Sequence, residues 1–246
     1  ATVDMPDNTS SEGSADMPYA IPNLQVQHVP VDLPVPVGFW RSVGHSYNAF
    51  FTESFMDELA HKAGQDPYKY RRDLLEGHPD SLAVLDKVAS AAEWDLPMNS
   101  GRGRGIALHE SFGSLVAQVA EVSVMPDDTI QLDRVVCVVD CGRVINPDTV
   151  VAQIEGAIVY GLTAALYGEV TLKDGAVEQG NFPDYEMIRL NNMPNIEVIL
   201  APSGRPIGGI GEVGTPPIAP ALANAIFNAT GKRVRELPLS KAGLVG

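Results

Sequence analysis

The spacing of apolar residues along the chain changes from helical in the first part to alternating in the middle. Phe51, Phe55 and Leu59 recur every four residues, and such a stripe predicts an amphipathic helix that begins near Asn48. Further helices are predicted from residues that cap or open a helix and from the apolar spacing that follows them. These helices cover residues 68–75, 79–92, 147–162 and 217–230.

Alternation of apolar and polar residues predicts the strands. They cover residues 105–112, 115–124, 129–139 and 195–201, with hairpin turns at 125–128 and 172–175. Because strands and helices occur in clusters, the pattern predicts an α+β fold with mixed sheets and packed helices. The polar residues 1–18 predict a mobile lead-in. Residues 19–246 follow it as the main folded region, with a possible sub-boundary near residues 95–104.

Composition and charge narrow the class of protein. The chain has 246 residues, of which 45% are hydrophobic and 20% charged, and these fractions are typical of a globular protein. A net charge of -14 argues against a nucleic-acid partner, because phosphate contacts need a basic surface. No continuous run approaches the ~20 apolar residues of a membrane helix, so no membrane span is predicted.

Two cysteines lie in one apolar segment, residues 135–142, that is typical of a buried strand, and neither a disulfide nor a metal site is expected from them. Cys137 and Cys141 stand among apolar residues, and residues four apart on a strand share a face at about 13 Å. That distance exceeds the reach of a disulfide. No CxxC motif or matching histidine pair is nearby, so a zinc site is not predicted and the thiols are expected to be packed.

A glycine-framed acid is the strongest candidate for chemistry. Glu212 lies in the stretch Gly208–Pro217, between four glycines and ahead of two prolines. Glycine lets another group approach the main chain closely, and proline restricts the segment's freedom. The stretch therefore predicts a carboxylate held on a preset loop beside a bulky ligand. The alternative is a solvent-exposed loop in which Glu212 has no role.

Three other segments carry weaker signals, each with a structural alternative. Arg41, just before the first long helix, is a candidate anion ligand, or a surface charge beside apolar Phe39 and Trp40. Gln153 and Gly156 suit a pterin or oxo ligand through amide groups and an open backbone, or belong to a packed helix. Residues 101–105, with the sequence GRGRG, could bind phosphate or form a flexible basic turn.

Six short motifs occur in a fixed order along the chain. They are Phe39-Trp40-Arg41, Asp140-Cys141-Gly142, Asn146-Pro147, Gln153-Ile154-Glu155-Gly156-Ala157, Gly209-Ile210-Gly211-Glu212 and Pro216-Pro217. In order and spacing they resemble the large, molybdenum-binding subunit of the xanthine oxidase family, most closely the isoquinoline 1-oxidoreductase and aldehyde dehydrogenase type. The resemblance covers about residues 19–239.

The resemblance implies an activity and a set of site residues. It implies hydroxylation of an aldehyde or N-heteroaromatic carbon with water as the oxygen source, and a molybdenum-carrying molybdopterin as cofactor, in its cytosine dinucleotide form. Electrons then leave through [2Fe–2S] clusters on a small iron–sulfur partner subunit. The implied roles are Glu212 as general base, Gln153, Arg41, Trp40, Gly211 and Gly156 in cofactor binding, and Val43 in the substrate pocket.

The resemblance also predicts that part of the cofactor site lies on another chain segment. A GxxEMGQG-type segment and a serine/threonine-rich pterin loop are expected in the family, and neither occurs in this sequence. The chain is therefore expected to be a C-terminal portion of a large subunit and to be inactive alone. The expected location is the bacterial cytoplasm or periplasm, and the resemblance favours the periplasm. Two alternatives stay open: a non-catalytic scaffold subunit, and an unrelated cofactor-free enzyme with a glutamate base.

Overall fold

The fold combines six helices and six strands across the part of the chain that the computed structural model describes, residues 8–32 and 34–245. The helices are α1 (Asn8–Ser11), α2 (Val43–Lys62), α3 (Pro67–Leu74), α4 (Pro79–Ala91), α5 (Pro147–Leu166) and α6 (Ile218–Thr230). The strands are β1 (Arg102–Ser111), β2 (Ser114–Val124), β3 (Ile130–Asp140), β4 (Leu172–Lys173), β5 (Ala176–Val177) and β6 (Asn195–Leu200).

A mixed four-stranded sheet forms the centre of the fold. Its strand order is β1-β2-β3-β6. β1, β2 and β3 are antiparallel neighbours, whereas β6 pairs with β3 in parallel. The parallel pair needs a crossover connection, and α5 lies within that connection. The predicted α+β class with mixed sheets and packed helices is confirmed.

Alternate residues of β3 enter different hydrophobic cores. Cys137 and Val139 belong to the cluster formed with α5 and α6, whereas Val136 and Val138 belong to the cluster formed with α4. Both faces of the sheet are therefore covered by helices, which explains the nearly continuous apolar run in this strand. Cys141 joins the α5–α6 cluster, and both cysteines are free and buried, as predicted. Burial raises the pKa of Cys137 to about 12.

The predicted strands and hairpins are confirmed to within a few residues. β2 and β3 flank the turn at residues 125–128, and β4 and β5 flank Asp174 and Gly175. These two residues have φ angles of 52° and 80°, as a tight two-residue hairpin requires. The helix starts after Asp66 and Asn146 are also confirmed, since each side chain accepts a backbone N–H of the first turn.

Helix α5 has the length and composition of a membrane span but packs as a core helix. It has 20 residues with a mean hydropathy of 1.4, and half of that window is buried inside the fold. Ile154, Ile158 and Leu162 lie in the core cluster that it shares with α6. Burial against the protein's own sheet explains its apolar composition.

The predicted apolar stripe of the first long helix is wrong for Phe51 and Phe55, whereas Leu59 packs against the core cluster around α4 as predicted. α2 begins at Val43 rather than near Asn48, and Phe51 and Phe55 are 59% and 57% exposed. The helix instead buries a face that contains Glu53, whose carboxylate accepts hydrogen bonds from Arg71 and from the backbone N–H of Leu108. A charged group that is fully paired can be buried, and hydrophobic spacing does not reveal such a face.

Two other local expectations differ from the structure. Residues 101–105 are not a flexible turn, because most of them belong to β1. A methyl group placed on Gly105 would lie 2.2 Å from the backbone nitrogen of Ala225, so the glycine permits close packing of α6. The β-rich piece at residues 24–29 has no strand partner in the described residues and is exposed.

The described part of the polar lead-in contacts α2. Asn48 donates from its side-chain amide to the backbone carbonyls of Ser10 and Glu12, at 2.9 Å each. Residues 1–7 lie outside the described residues, and the mobility of the lead-in stays a prediction. Near the expected sub-boundary at residues 95–104, α4 and the strands that follow it share one core cluster.

Candidate functional site

The glycine-framed loop between β6 and α6 is fastened to the strand ends beneath it. Gly208 donates its N–H to Cys141 O at 3.0 Å, and Gly209 donates to Phe112 O at 2.7 Å. A methyl group on Gly208 would lie 2.3 Å from the Ser114 hydroxyl oxygen, so this glycine serves packing. Gly211 has nothing within 4 Å of that position. Of these three glycines, only Gly211 leaves space for another molecule.

Glu212 stands at the start of α2, half-buried. Its Oε1 accepts the backbone N–H of Ser42 at 2.9 Å, and its carbonyl oxygen accepts the Ser42 hydroxyl at 2.7 Å. Negative charge is favoured at a helix N-terminus. Among the described residues no donor is bonded to Oε2 of Glu212, so one carboxylate oxygen is held and the other is available.

Arg41 joins the loop to helix α5. Its guanidinium donates to Gly211 O from Nε at 2.9 Å and also from Nη2. Nη2 donates to Gln153 Oε1 at 3.3 Å as well. Arg41 therefore fixes the backbone next to Glu212 and orients the Gln153 amide. Neither interpretation of Arg41 from sequence foresaw these two contacts, and its predicted role in cofactor binding stays a prediction.

Gln153, Gly156 and Tyr160 lie along one exposed face of α5. The Gln153 amide nitrogen has no acceptor in the described part of the chain, and a methyl group added to Gly156 would meet nothing within 4 Å. Within the described residues, Gly156 therefore makes no close helix–helix contact. Tyr160 was given no role from sequence, yet its ring lies 4.8 Å from that of Trp40.

Trp40 lies between two cavities. One, of about 560 Å³, is lined by Phe39, Val43 and Tyr47 among others. The second, of about 400 Å³, includes Phe51 and Thr215. Both volumes lie in the range of small-molecule sites. The structure therefore brings Val43, the predicted pocket residue, to a cavity wall that also includes Trp40.

A buried histidine pair behind the site was missed by sequence analysis. His45 Nδ1 and His109 Nε2 are 3.0 Å apart. Burial, together with the charge of His45, lowers the pKa of His109 to about 3. Burial also lowers the pKa of His45, against the opposing effect of Glu12, Asp16 and Glu212. Ser46 donates to Val43 O at 2.7 Å and has no hydrogen bond to His45 in the described residues.

The donor set fits part of a large polar cofactor. Gln153 offers a free amide N–H₂, and Gly156 and Gly211 offer open backbone that a ligand can approach. Glu212 lies at the same end of the fold and offers a carboxylate oxygen to which no donor of the described residues is bonded. All seven residues singled out from the sequence lie on three neighbouring segments, namely the start of α2, the outer face of α5 and the loop before α6.

Known proteins share both sequence and fold with this chain. The profile of a molybdopterin cofactor-binding domain matches residues 74–194. The beta subunit of isoquinoline 1-oxidoreductase from Brevundimonas diminuta is 33% identical over 228 residues, covering 91% of this chain and 29% of that protein. This chain belongs to the xanthine oxidase family of molybdenum hydroxylases.

Two further relatives extend the comparison within the family. A membrane-bound aldehyde dehydrogenase of Gluconacetobacter polyoxogenes, named for pyrroloquinoline quinone, is 30% identical and covers 85% of this chain and 30% of that protein. Quinoline 2-oxidoreductase from Pseudomonas putida 86 has the same fold, with a TM-score of 0.71 at 12% identity over 83% of this chain and 52% of that one. The chain spans less than a third of these two sequence relatives' lengths.

Proposed function

We propose that the chain contributes the general base to a molybdenum-dependent enzyme that hydroxylates an aldehyde or N-heteroaromatic carbon with oxygen from water. The observation that carries the proposal is the state of Glu212. One carboxylate oxygen is fixed by the Ser42 N–H, while no donor in the described residues bonds to the other. A general base needs such an acceptor within reach of the proton that it takes.

The neighbouring residues would hold one side of the cofactor. The free amide of Gln153 and the open backbone at Gly156 and Gly211 suit the polar edge of a pterin. Arg41 keeps Gln153 and Gly211 in place, and Trp40 packs on Tyr160 beside them. When bound, a molybdopterin would supply the molybdenum centre that takes up the two electrons of the oxidation.

The cavity and the relatives support the proposed substrate class. A cavity of about 560 Å³ with Val43 and Trp40 in its wall accommodates a flat ring or an aldehyde. The curated relatives are named for isoquinoline and for aldehydes. Val43 is small, so it leaves room where a larger side chain would contact a ring.

The proposed enzyme needs more protein than this chain. The chain covers 29% of the isoquinoline 1-oxidoreductase beta subunit, which supports a partner segment that completes the cofactor site. The proposed partners are the remainder of the large subunit and a small subunit with [2Fe–2S] clusters. The proposed form of the cofactor is the cytosine dinucleotide. The isolated chain is expected to be inactive, because it provides only part of the contacts that offset the entropy of cofactor binding.

The test is Glu212→Gln in the complete enzyme. Glutamine keeps the acceptor for the Ser42 N–H but cannot take a proton, so kcat should fall by about 10²–10⁴-fold. Molybdenum content should stay at the wild-type level. Glu76→Gln removes the same charge at an exposed position and should leave kcat unchanged. Turnover within a few-fold of wild type in fully loaded Glu212→Gln would mean that the loop is structural.

Cofactor analysis separates the alternatives. Molybdenum and a pterin released from the purified complex support the proposal. A complex without molybdenum would favour a scaffold subunit, and a complex that yields pyrroloquinoline quinone instead would favour the chemistry for which the Gluconacetobacter relative is named. Turnover by the 246-residue chain alone, with no cofactor, would favour an unrelated glutamate-base enzyme.

A further inference from the structure

Ser42 contacts Glu212 through both its backbone and its side chain. The backbone N–H donates to Oε1 at 2.9 Å, and the hydroxyl donates to the Glu212 carbonyl at 2.7 Å. Ser42 is fully buried. The two bonds fix the carboxylate and the peptide that carries it at the same time, so Glu212 has little freedom to rotate away from the site.

The backbone of Ser42 is in a conformation that favours glycine. Its φ and ψ angles are 73° and 8°, and Val43 follows with a φ of 47°. A glycine at residue 42 would adopt these angles without steric cost and would offer the same N–H. What serine adds is its hydroxyl, and that hydroxyl bonds to Glu212. At this strained position serine therefore adds one hydrogen bond to Glu212 that glycine could not make.

The neighbouring helix donor is already occupied by another acid. Gly44 donates its N–H to Glu12 Oε1 at 3.0 Å. Among the described residues, the N–H of Ser42 is thus the one donor bonded to the Glu212 carboxylate. At the start of α2, Glu12 is therefore bonded to the N–H of Gly44 and Glu212 to the N–H of Ser42. The orientation of Glu212 thus depends on Ser42.

We propose that Ser42 is a positioning residue that holds Glu212 in the orientation needed for proton abstraction. The proposal rests on the proposed role of Glu212 as the base. Ser42 acts through Glu212 and does not itself touch the reacting atoms. Misplacing a reacting group by about 1 Å can cost ~10²-fold in rate, so loss of the hydroxyl should reduce turnover without removing the base.

The experiment is Ser42→Gly in the complete enzyme. Glycine suits the φ of 73° and keeps the N–H, so folding and molybdenum content should match wild type. We expect kcat to fall by about 10-fold or more, with KM unchanged. Hydrogen–deuterium exchange of the peptide that covers residues 208–216 should become faster, because one of its anchoring hydrogen bonds is lost, while exchange in β2 and β3 should stay the same.

A matched control and a double variant test whether Ser42 acts through Glu212. Thr52→Val removes another α2 hydroxyl that donates to a backbone carbonyl at 2.9 Å, on Asn48, and should leave kcat unchanged. In a Glu212→Gln background, Ser42→Gly should cause no further loss, because residues that act as a unit are non-additive.

Two results would overturn the proposal. One is wild-type kcat and exchange in Ser42→Gly. The other is an equal fold-loss from Ser42→Gly in the wild-type and Glu212→Gln backgrounds, which would mean that Ser42 acts independently of the base. If Glu212→Gln itself keeps nearly full turnover, the proposed function fails as well. An inactive Glu212→Gln beside a fully active Ser42→Gly would refute the positioning role alone.

Discussion

The buried histidine pair makes a quantitative prediction about stability and pH. Burial, with the added charge of His45, lowers the pKa of His109 from 6.5 to about 3 in the folded chain. Between these two values the unfolded chain binds a proton at residue 109 and the folded chain does not. The contribution of neutral His109 to the free energy of unfolding is therefore fully present above pH 6.5 and is lost as the pH falls toward 3.

The size of the effect follows from proton linkage. One proton contributes about 1.36 kcal/mol per pH unit, so by pH 5 the free energy of unfolding should drop by about 2 kcal/mol through His109. That is a substantial part of the ~5–15 kcal/mol by which domains are stable. His109→Gln keeps a polar partner for His45 and removes the titrating ring, so its stability should fall less steeply with acidification.

Urea titrations at several pH values between 5 and 8 measure this difference. The difference in the free energy of unfolding between wild type and His109→Gln should narrow by about 2 kcal/mol as the pH falls from 7 to 5. His28→Gln, at an exposed position, should run parallel to wild type. Parallel curves for wild type and His109→Gln would refute the argument, because they would mean that His109 takes up its proton equally in both states.

Two further predictions concern packing and surface. Gly105→Ala should destabilise the fold by about 1–3 kcal/mol, because its methyl group would meet the backbone of Ala225 at 2.2 Å; a denaturant midpoint equal to wild type would show that α6 can move away freely. The isolated chain is expected to self-associate through exposed apolar surface, and Phe51→Ser with Phe55→Ser should reduce this association, since both rings are more than half exposed. Light scattering checks this, and unchanged particle size would place the association surface elsewhere.

Local sequence signals determined most of the secondary structure. Asp66 and Asn146 are capping residues whose side chains bond to the first turn of the helix that follows, and such bonds involve residues only two or three apart. Runs of apolar residues bounded by turn residues likewise indicated β1, β2 and β3. These signals are short-range, so they do not depend on how distant segments meet.

The buried face of α2 could be determined only by the tertiary structure. Glu53 is buried because Arg71 and Leu108, from α3 and β1, supply its hydrogen bonds. Phe51 is exposed because no described segment covers that side of the helix. Apolar spacing measures the hydrophobicity of single residues, whereas burial of a charge depends on partners that are far away in sequence.

The candidate site divides in the same way. The sequence by itself indicated Glu212 and Gln153, because a glycine-framed acid and an ordered set of motifs are visible in the chain alone. Only the tertiary structure decided that Arg41 joins them and that Ser42 holds the carboxylate. Glu212 lies 170 residues from Ser42, and a hydrogen bond across that separation exists only once the chain has folded and brought the start of α2 to the loop.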